Sequence, residues 1–233
     1  MIPISDTSHA RYSSPAVVTI GLIIVNVLVF LYQVTLSDRD QMTFIYQFAM
    51  IPAEFLTGVD RPPTSPWGVT STLLTSMFMH GGWSHIIGNM AYLWVFGDNI
   101  EHTLGKPMYL VFYLVCGVAA AAAHLSQDAL STIPTLGASG AISGVLGAYL
   151  LLYPTNGVNC LVIFGFFIRT VTLPAVIVLG FWIVLQLFNG LMAPSVGGGG
   201  VAYWAHIGGF VAGMVLAIPI RLLRRSERDS YRW

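Results

Sequence analysis

Between Arg169 and Arg221 the chain carries no Asp, Glu, Lys or Arg. A water-soluble domain averages about one charged residue in four, so an uncharged run of this length cannot coat a solvated surface. The chain as a whole has 233 residues, 9% of them charged, and a mean hydropathy of +0.74. Six apolar segments approach the roughly 20 residues that a helix needs to cross hydrocarbon. They are residues 15–35, 83–100, 107–125, 137–153, 172–191 and 202–220. In lipid a lone segment must satisfy its own backbone hydrogen bonds, which a helix does. The expected fold is an all-α membrane protein: a six-transmembrane-helix bundle with a long first outer loop at residues 36–82. The first segment has neither a basic leader nor a small-residue cleavage site and reads as a retained anchor.

Lys and Arg collect on the cytoplasmic side of a membrane. Six spans put both termini on one side. Placing them inside leaves Arg11, Lys106, Arg169, Arg221, Arg224, Arg225, Arg228 and Arg232 in the cytoplasm and only Arg39 and Arg61 outside. The formal net charge of zero hides this asymmetry, and the basic tail is an orientation signal rather than a nucleic-acid patch. The chain divides into a cytoplasmic segment at 1–12, a membrane domain at 13–225 and a cytoplasmic tail at 226–233. Residues 157–170 are apolar but too short to span before Arg169, and are expected to be interfacial or re-entrant. Counting them as a seventh span would carry the basic tail outside, against the charge rule.

A polar or ionisable side chain inside a span is costly and marks function by default. Spans 2, 4 and 6 run from outside to inside in this topology. His85 and Asn89 come early in span 2, Ser139 opens span 4, and His206 lies about one turn into span 6. These side chains from three helices therefore share one depth near the outer face. Spans 4 and 6 also carry small-residue ladders, Gly140, Gly144 and Ala148 on one and Ala205, Gly209 and Gly213 on the other. Such ladders let helix backbones approach closely in lipid. Gly209 and Gly213 share a face with His206, so contact between the ladders draws His206 toward Ser139.

Three motifs resemble the signatures of rhomboid intramembrane serine proteases: Gly137-Ala138-Ser139-Gly140, Ala205-His206-Ile207-Gly208-Gly209, and His80 with His85 and Asn89. Each is weak alone; in order on the second, fourth and sixth spans they are specific. The resemblance implies that Ser139 is the nucleophile, that His206 is its general base, and that His85 and Asn89 line the oxyanion hole with the Ser139 backbone N–H. The residue types suit those tasks. A serine hydroxyl needs a base to take its proton, imidazole can take and return it, and the oxyanion needs prepositioned donors. No Asp or Glu lies near His206 in sequence within the outer half of any span, so a dyad is expected rather than a triad. The implied activity is endopeptidase cleavage of transmembrane helices near their outer ends. The substrates would carry small or helix-weakening residues at the scissile bond and enter sideways past span 5. No cofactor is required, and the partners are membrane-protein substrates and lipid, with no nucleic acid.

The chain departs from one familiar pattern. Some members carry an aromatic ring four residues after the nucleophile, under the histidine, where this chain has Ser143. Tyr149, Tyr203 or Ser143 itself is left to orient the ring. His80, in the first outer loop, resembles a histidine with a supporting role, while His102 and His124 read as ordinary polar residues near helix ends. A metal site on His80, His85 and His206 lacks a carboxylate or cysteine ligand, and neither Cys116 nor Cys160 has metal-like spacing. The aromatic stretch at 44–55 reads as partly embedded in the interface. The four glycines at 197–200 resemble a mobile cap and equally fit a slack connector. A silent helix-binding relative would normally lack Ser139 or His206. A transporter would show an internal repeat or a charged pathway, and neither is evident.

Overall fold

Each of the six apolar segments folds as a helix in the computed structural model, which describes residues 2–7, 14–164, 167–192 and 201–230. In chain order the elements are β1 (Ile2–Asp6), α1 (Val17–Thr35), α2 (Asp38–Phe48), α3 (Pro52–Thr57), α4 (Thr72–Thr75), α5 (Trp83–Leu104), α6 (Lys106–Gln127), α7 (Ser139–Leu152), β2 (Gly157–Phe164), β3 (Phe167–Pro174), α8 (Ala175–Met192) and α9 (Tyr203–Ser230). Four of these helices are long and apolar enough to cross a membrane unaided: α1, α6, α8 and the Tyr203–Leu223 part of α9. The other two differ for physical reasons. α5 has the length, but Asp98 and Glu101 lie near its C-terminal end. α7 has only 14 residues, and every one from Gly140 to Tyr149 is buried. A helix enclosed by its neighbours has no lipid-facing surface to match to the hydrocarbon.

The two ladders meet. A Cβ on Gly209 would strike the carbonyl of Gly140, one on Gly213 the carbonyl of Gly144, and one on Gly147 the carbonyl of Phe210. α7 and α9 are therefore in backbone contact from Gly140 to Gly147 on one and from Gly209 to Gly213 on the other. On the other side of the same seam, added carbons on Gly144 and Gly208 would strike Cys116 and Ala123 of α6. Dispersion between closely fitted surfaces, rather than expulsion of water, is what holds such helices together in lipid.

The all-helical expectation fails at residues 157–174. Gly157–Phe164 and Phe167–Pro174 pair as antiparallel strands, β2 with β3, and β1 adds to β2 to give a three-stranded sheet in the order β1-β2-β3. The segment is rich in β-branched residues, and its polar Asn159 and Thr172 face each other across the ladder, where Thr172 donates to Asn159 at 2.6 Å. Asn159 in turn donates to Ser5 of β1 at 2.8 Å. β1 thus ties residues near the N-terminus to the middle of the chain. Asp6 at its end accepts from Tyr149 of α7 at 2.5 Å and from Asn99 of α5 at 2.9 Å.

The long first loop is folded rather than slack. Phe44 and Phe48 of α2 lie 4.8 Å apart by ring centroid, and Trp67 packs 5.6 Å from Phe48. Met50 pairs with Thr135 through two backbone hydrogen bonds of 3.0 and 2.7 Å, and the Gly137 N–H donates to the Ser76 carbonyl at 2.9 Å. The loop therefore grips the chain just ahead of Ser139. At the far end of the bundle the buried Glu101 carboxylate accepts from the Val18 and Thr19 N–H groups at the start of α1, and from the Thr19 hydroxyl at 2.8 Å. A carboxylate at a helix N-terminus satisfies otherwise orphan N–H donors.

Candidate active site

Ser139 is the first residue of α7, where an N–H has no carbonyl one turn back to bond. His206 lies in the first turn of α9, 9% exposed. The Ser139 Oγ and His206 Nε2 are 2.8 Å apart, a full hydrogen bond. The glycine seam sets this meeting, because Gly140 and Gly209 follow Ser139 and His206 by one and three residues. Both side chains open on a cavity of about 610 Å³, also lined by His85, Asn89, His124 and Ala202.

His85, near the start of α5, reaches the same place because Gly137 gives it room. Gly137 sits at φ +131°, a conformation that favours glycine, and a Cβ there would lie 2.8 Å from His85 Nε2 and 3.7 Å from Ser139 Oγ. The Gly81 N–H donates to His85 Nδ1 at 3.3 Å. A backbone N–H only donates, so Nδ1 must hold a lone pair and the ring proton sits on Nε2. That places an N–H beside Ser139.

Asn89, one turn along α5, directs its amide nitrogen at His80 Nε2 at 2.9 Å. An amide NH₂ has a second hydrogen, and Asn89 lines the cavity. His80 is itself gripped by α1: its N–H donates to Gln33 Oε1 at 3.1 Å, and Gln33 Nε2 donates back to its carbonyl at 3.2 Å. Burial, with the neighbouring His85 second, pushes the His80 imidazole down to about 4. His80 therefore stays neutral and orients Asn89.

The support of His206 is where the sequence reading and the structure part. Ser143 donates to the Ser139 carbonyl at 2.6 Å, Tyr149 is engaged by Asp6, and Tyr203 packs toward Gly190. The contacts on the imidazole come instead from α8. Gln186 Oε1 lies 2.8 Å from His206 Nδ1, and the Trp182 ring lies 5.7 Å from the imidazole by centroid. The signal was present: Gln186 is a strongly polar side chain in a span, one turn from Trp182 on the same face. His124 also belongs to the cavity wall, its Nε2 3.0 Å from the Thr135 hydroxyl, whereas His102 lies elsewhere, bonded to the Asp98 and Ser14 carbonyls. Among the described residues no group of three His, Cys, Asp or Glu side chains converges as metal ligands. The four glycines at 197–200 lie outside the described residues.

The family description "Rhomboid domain" matches residues 67–222. Over 97% of its length the chain is 30% identical to the rhomboid protease AarA of Providencia stuartii, covering 80% of that protein. It is also 30% identical, over 64% of its length, to the rhomboid protease GluP of Bacillus subtilis, and 34% identical, over 58%, to the human mitochondrial presenilin-associated rhomboid-like protein. Those two alignments span only 26% and 32% of the longer relatives. With the apolar helices, these matches identify an integral membrane protein, and the chain belongs to the rhomboid family.

Proposed function

We propose that the protein is an intramembrane serine endopeptidase in which Ser139 and His206 act as a dyad. The observation that carries the reading is the 2.8 Å contact between Ser139 Oγ and His206 Nε2 at the wall of a cavity inside an apolar helix bundle. Ser139 Oγ attacks the scissile carbonyl carbon while its proton passes to His206 Nε2. The carbonyl oxygen becomes an oxyanion beside the His85 Nε2–H, the Asn89 amide and the Ser139 backbone N–H. As the C–N bond breaks, His206 returns the proton to the leaving amine, and a water deprotonated by His206 then releases the acyl group from Ser139.

The substrates are transmembrane helices with small or helix-weakening residues at the cut, because an intact helix shields its peptide bonds. They reach the cavity sideways past α8. The six helices α1, α5, α6, α7, α8 and α9 cross the membrane with both termini in the cytoplasm, which turns the mouth of the cavity outward and leaves α2 and α3 in the outer interface. Support comes from the Lys and Arg distribution and from the shared end of the bundle occupied by Ser139, His85 and His206.

The test is cleavage of a reporter membrane helix by the purified protein and by Ser139→Ala. The wild type is expected to cleave and to be labelled on Ser139 by a fluorophosphonate, and Ser139→Ala to do neither. Equal cleavage by both would overturn the assignment.

A further inference from the structure

We propose that Gln186 is a positioning residue, holding the His206 imidazole in the one tautomer that can act as a base, so that α8 completes the dyad. This deepens the reading of Ser139 and His206 as nucleophile and base and rests on it. Gln186 Nε2 donates to the Trp182 carbonyl at 3.3 Å, one turn back along α8. A carbonyl only accepts, so the amide end facing it is the NH₂ and the end facing His206 is the oxygen. That oxygen, 2.8 Å from Nδ1, requires a hydrogen there. With its proton on Nδ1, the neutral ring has its lone pair on Nε2, aimed at the Ser139 hydroxyl. In the opposite tautomer two lone pairs would face each other at Gln186, and the Ser139 proton would have no acceptor.

The setting favours this role over simple packing. Half of α8 points away from the protein: Ile177, Phe181, Val184, Phe188 and Leu191 are among its exposed residues, while Gln186 is buried. An amide in such a helix is costly unless its hydrogen bonds are met, and both of its ends have partners, one of them the candidate base. Gln186 also suits a dyad. When the proton moves from Ser139 to His206, the Nδ1–H becomes a charged donor and its bond to the amide oxygen strengthens. A neutral amide gains this without placing a fixed negative charge beside the ring at rest. The other titratable groups in the cavity wall toward His206 are His85, His124 and Asp128.

The experiment uses the full-length protein in detergent with two readouts, turnover of a reporter membrane helix and the rate of Ser139 labelling by a small fluorophosphonate that needs no sideways passage. Gln186→Leu is expected to lower kcat by roughly 10- to 100-fold, by analogy with loss of a group that orients a metal-bound imidazole, with KM within about twofold. Labelling should slow by a similar factor. Gln186→Glu keeps an acceptor for Nδ1–H and is expected to restore most of the activity at alkaline pH, with the acid limb of its profile moved to higher pH because a carboxylate favours the imidazolium. Wild-type kcat in Gln186→Leu would overturn the proposal, as would lost cleavage with unchanged labelling, which would make α8 a matter of admission only. If Gln186→Leu does not fold, the Gln186→Glu profile decides, an unmoved acid limb counting against it. Ser139→Ala in the same assay separates the two levels: if it still cleaves, the dyad itself has failed.

Discussion

Trp182 on α8 packs against the His206 ring, the two planes tilted 33° from parallel and their centroids 5.7 Å apart. A ring–ring contact at this separation contributes about 0.5–1.5 kcal/mol beyond the area it covers. Trp182→Ala should slow turnover by about tenfold, whereas Trp182→Phe should retain most of it. Steady-state cleavage of a reporter helix separates the two, and equal losses would assign Trp182 to something other than a ring face.

Gly209→Ala puts a methyl group against the Gly140 carbonyl, one turn below His206. Overpacking in a fitted interface costs typically 1–3 kcal/mol. The expected result is lower thermal stability in detergent and slower fluorophosphonate labelling, since α7 and α9 must separate to make room. Gly180→Ala on α8 is the control: a Cβ there meets nothing within 4 Å, so stability and labelling should hold.

The neutral buried state of His80 gives folding a pH dependence whose sign is fixed. Its imidazole sits at about 4 in the folded chain and about 6.5 when unfolded. Between those values the unfolded chain binds more protons, so stability is complete above pH 6.5 and falls as pH drops toward 4. The slope from this group is at most about 1.4 kcal/mol per pH unit. Unfolding midpoints at pH 7.5, 6 and 5 should decline for the wild type and decline less for His80→Gln.

Glu101 tests whether the end of the bundle away from Ser139 matters to chemistry. Its carboxylate takes three hydrogen bonds from Val18 and Thr19, and Glu101→Ala removes that acceptor from the buried Thr19 donors and the half-buried Val18 N–H. A loss of roughly 2–4 kcal/mol is expected, with labelling per folded molecule unchanged. A selective loss of labelling in a fully folded variant would contradict that division of labour.

The helical half of this architecture was legible because hydrocarbon permits so few backbones: a long uncharged run must become a helix. Ser139 and His206 were legible because polar groups in such runs are exceptional, and their convergence because Gly140, Gly144, Gly209 and Gly213 announce where backbones touch. The strands at 157–174 were not, since a short apolar stretch has the same composition whether it pairs or coils, and the partner strand at Ile2–Asp6 lies far away in sequence. The hold on His206 was missed for a related reason. A residue one turn below Ser139 on α7 is read directly from helical spacing, whereas Gln186 approaches from a different helix. That approach depends on how α8 leans on α9, which no local spacing records.

Because main-chain atoms of α7 and α9 touch, the backbone spacing between Ser139 and His206 does not depend on how neighbouring side chains reshuffle on picosecond to nanosecond scales. Fitted backbones have no equivalent slack. Mechanically the two helices amount to one rod, so a thicker or thinner bilayer would tilt them together, changing how the cavity faces its surroundings while leaving the main-chain spacing of Ser139 and His206 untouched.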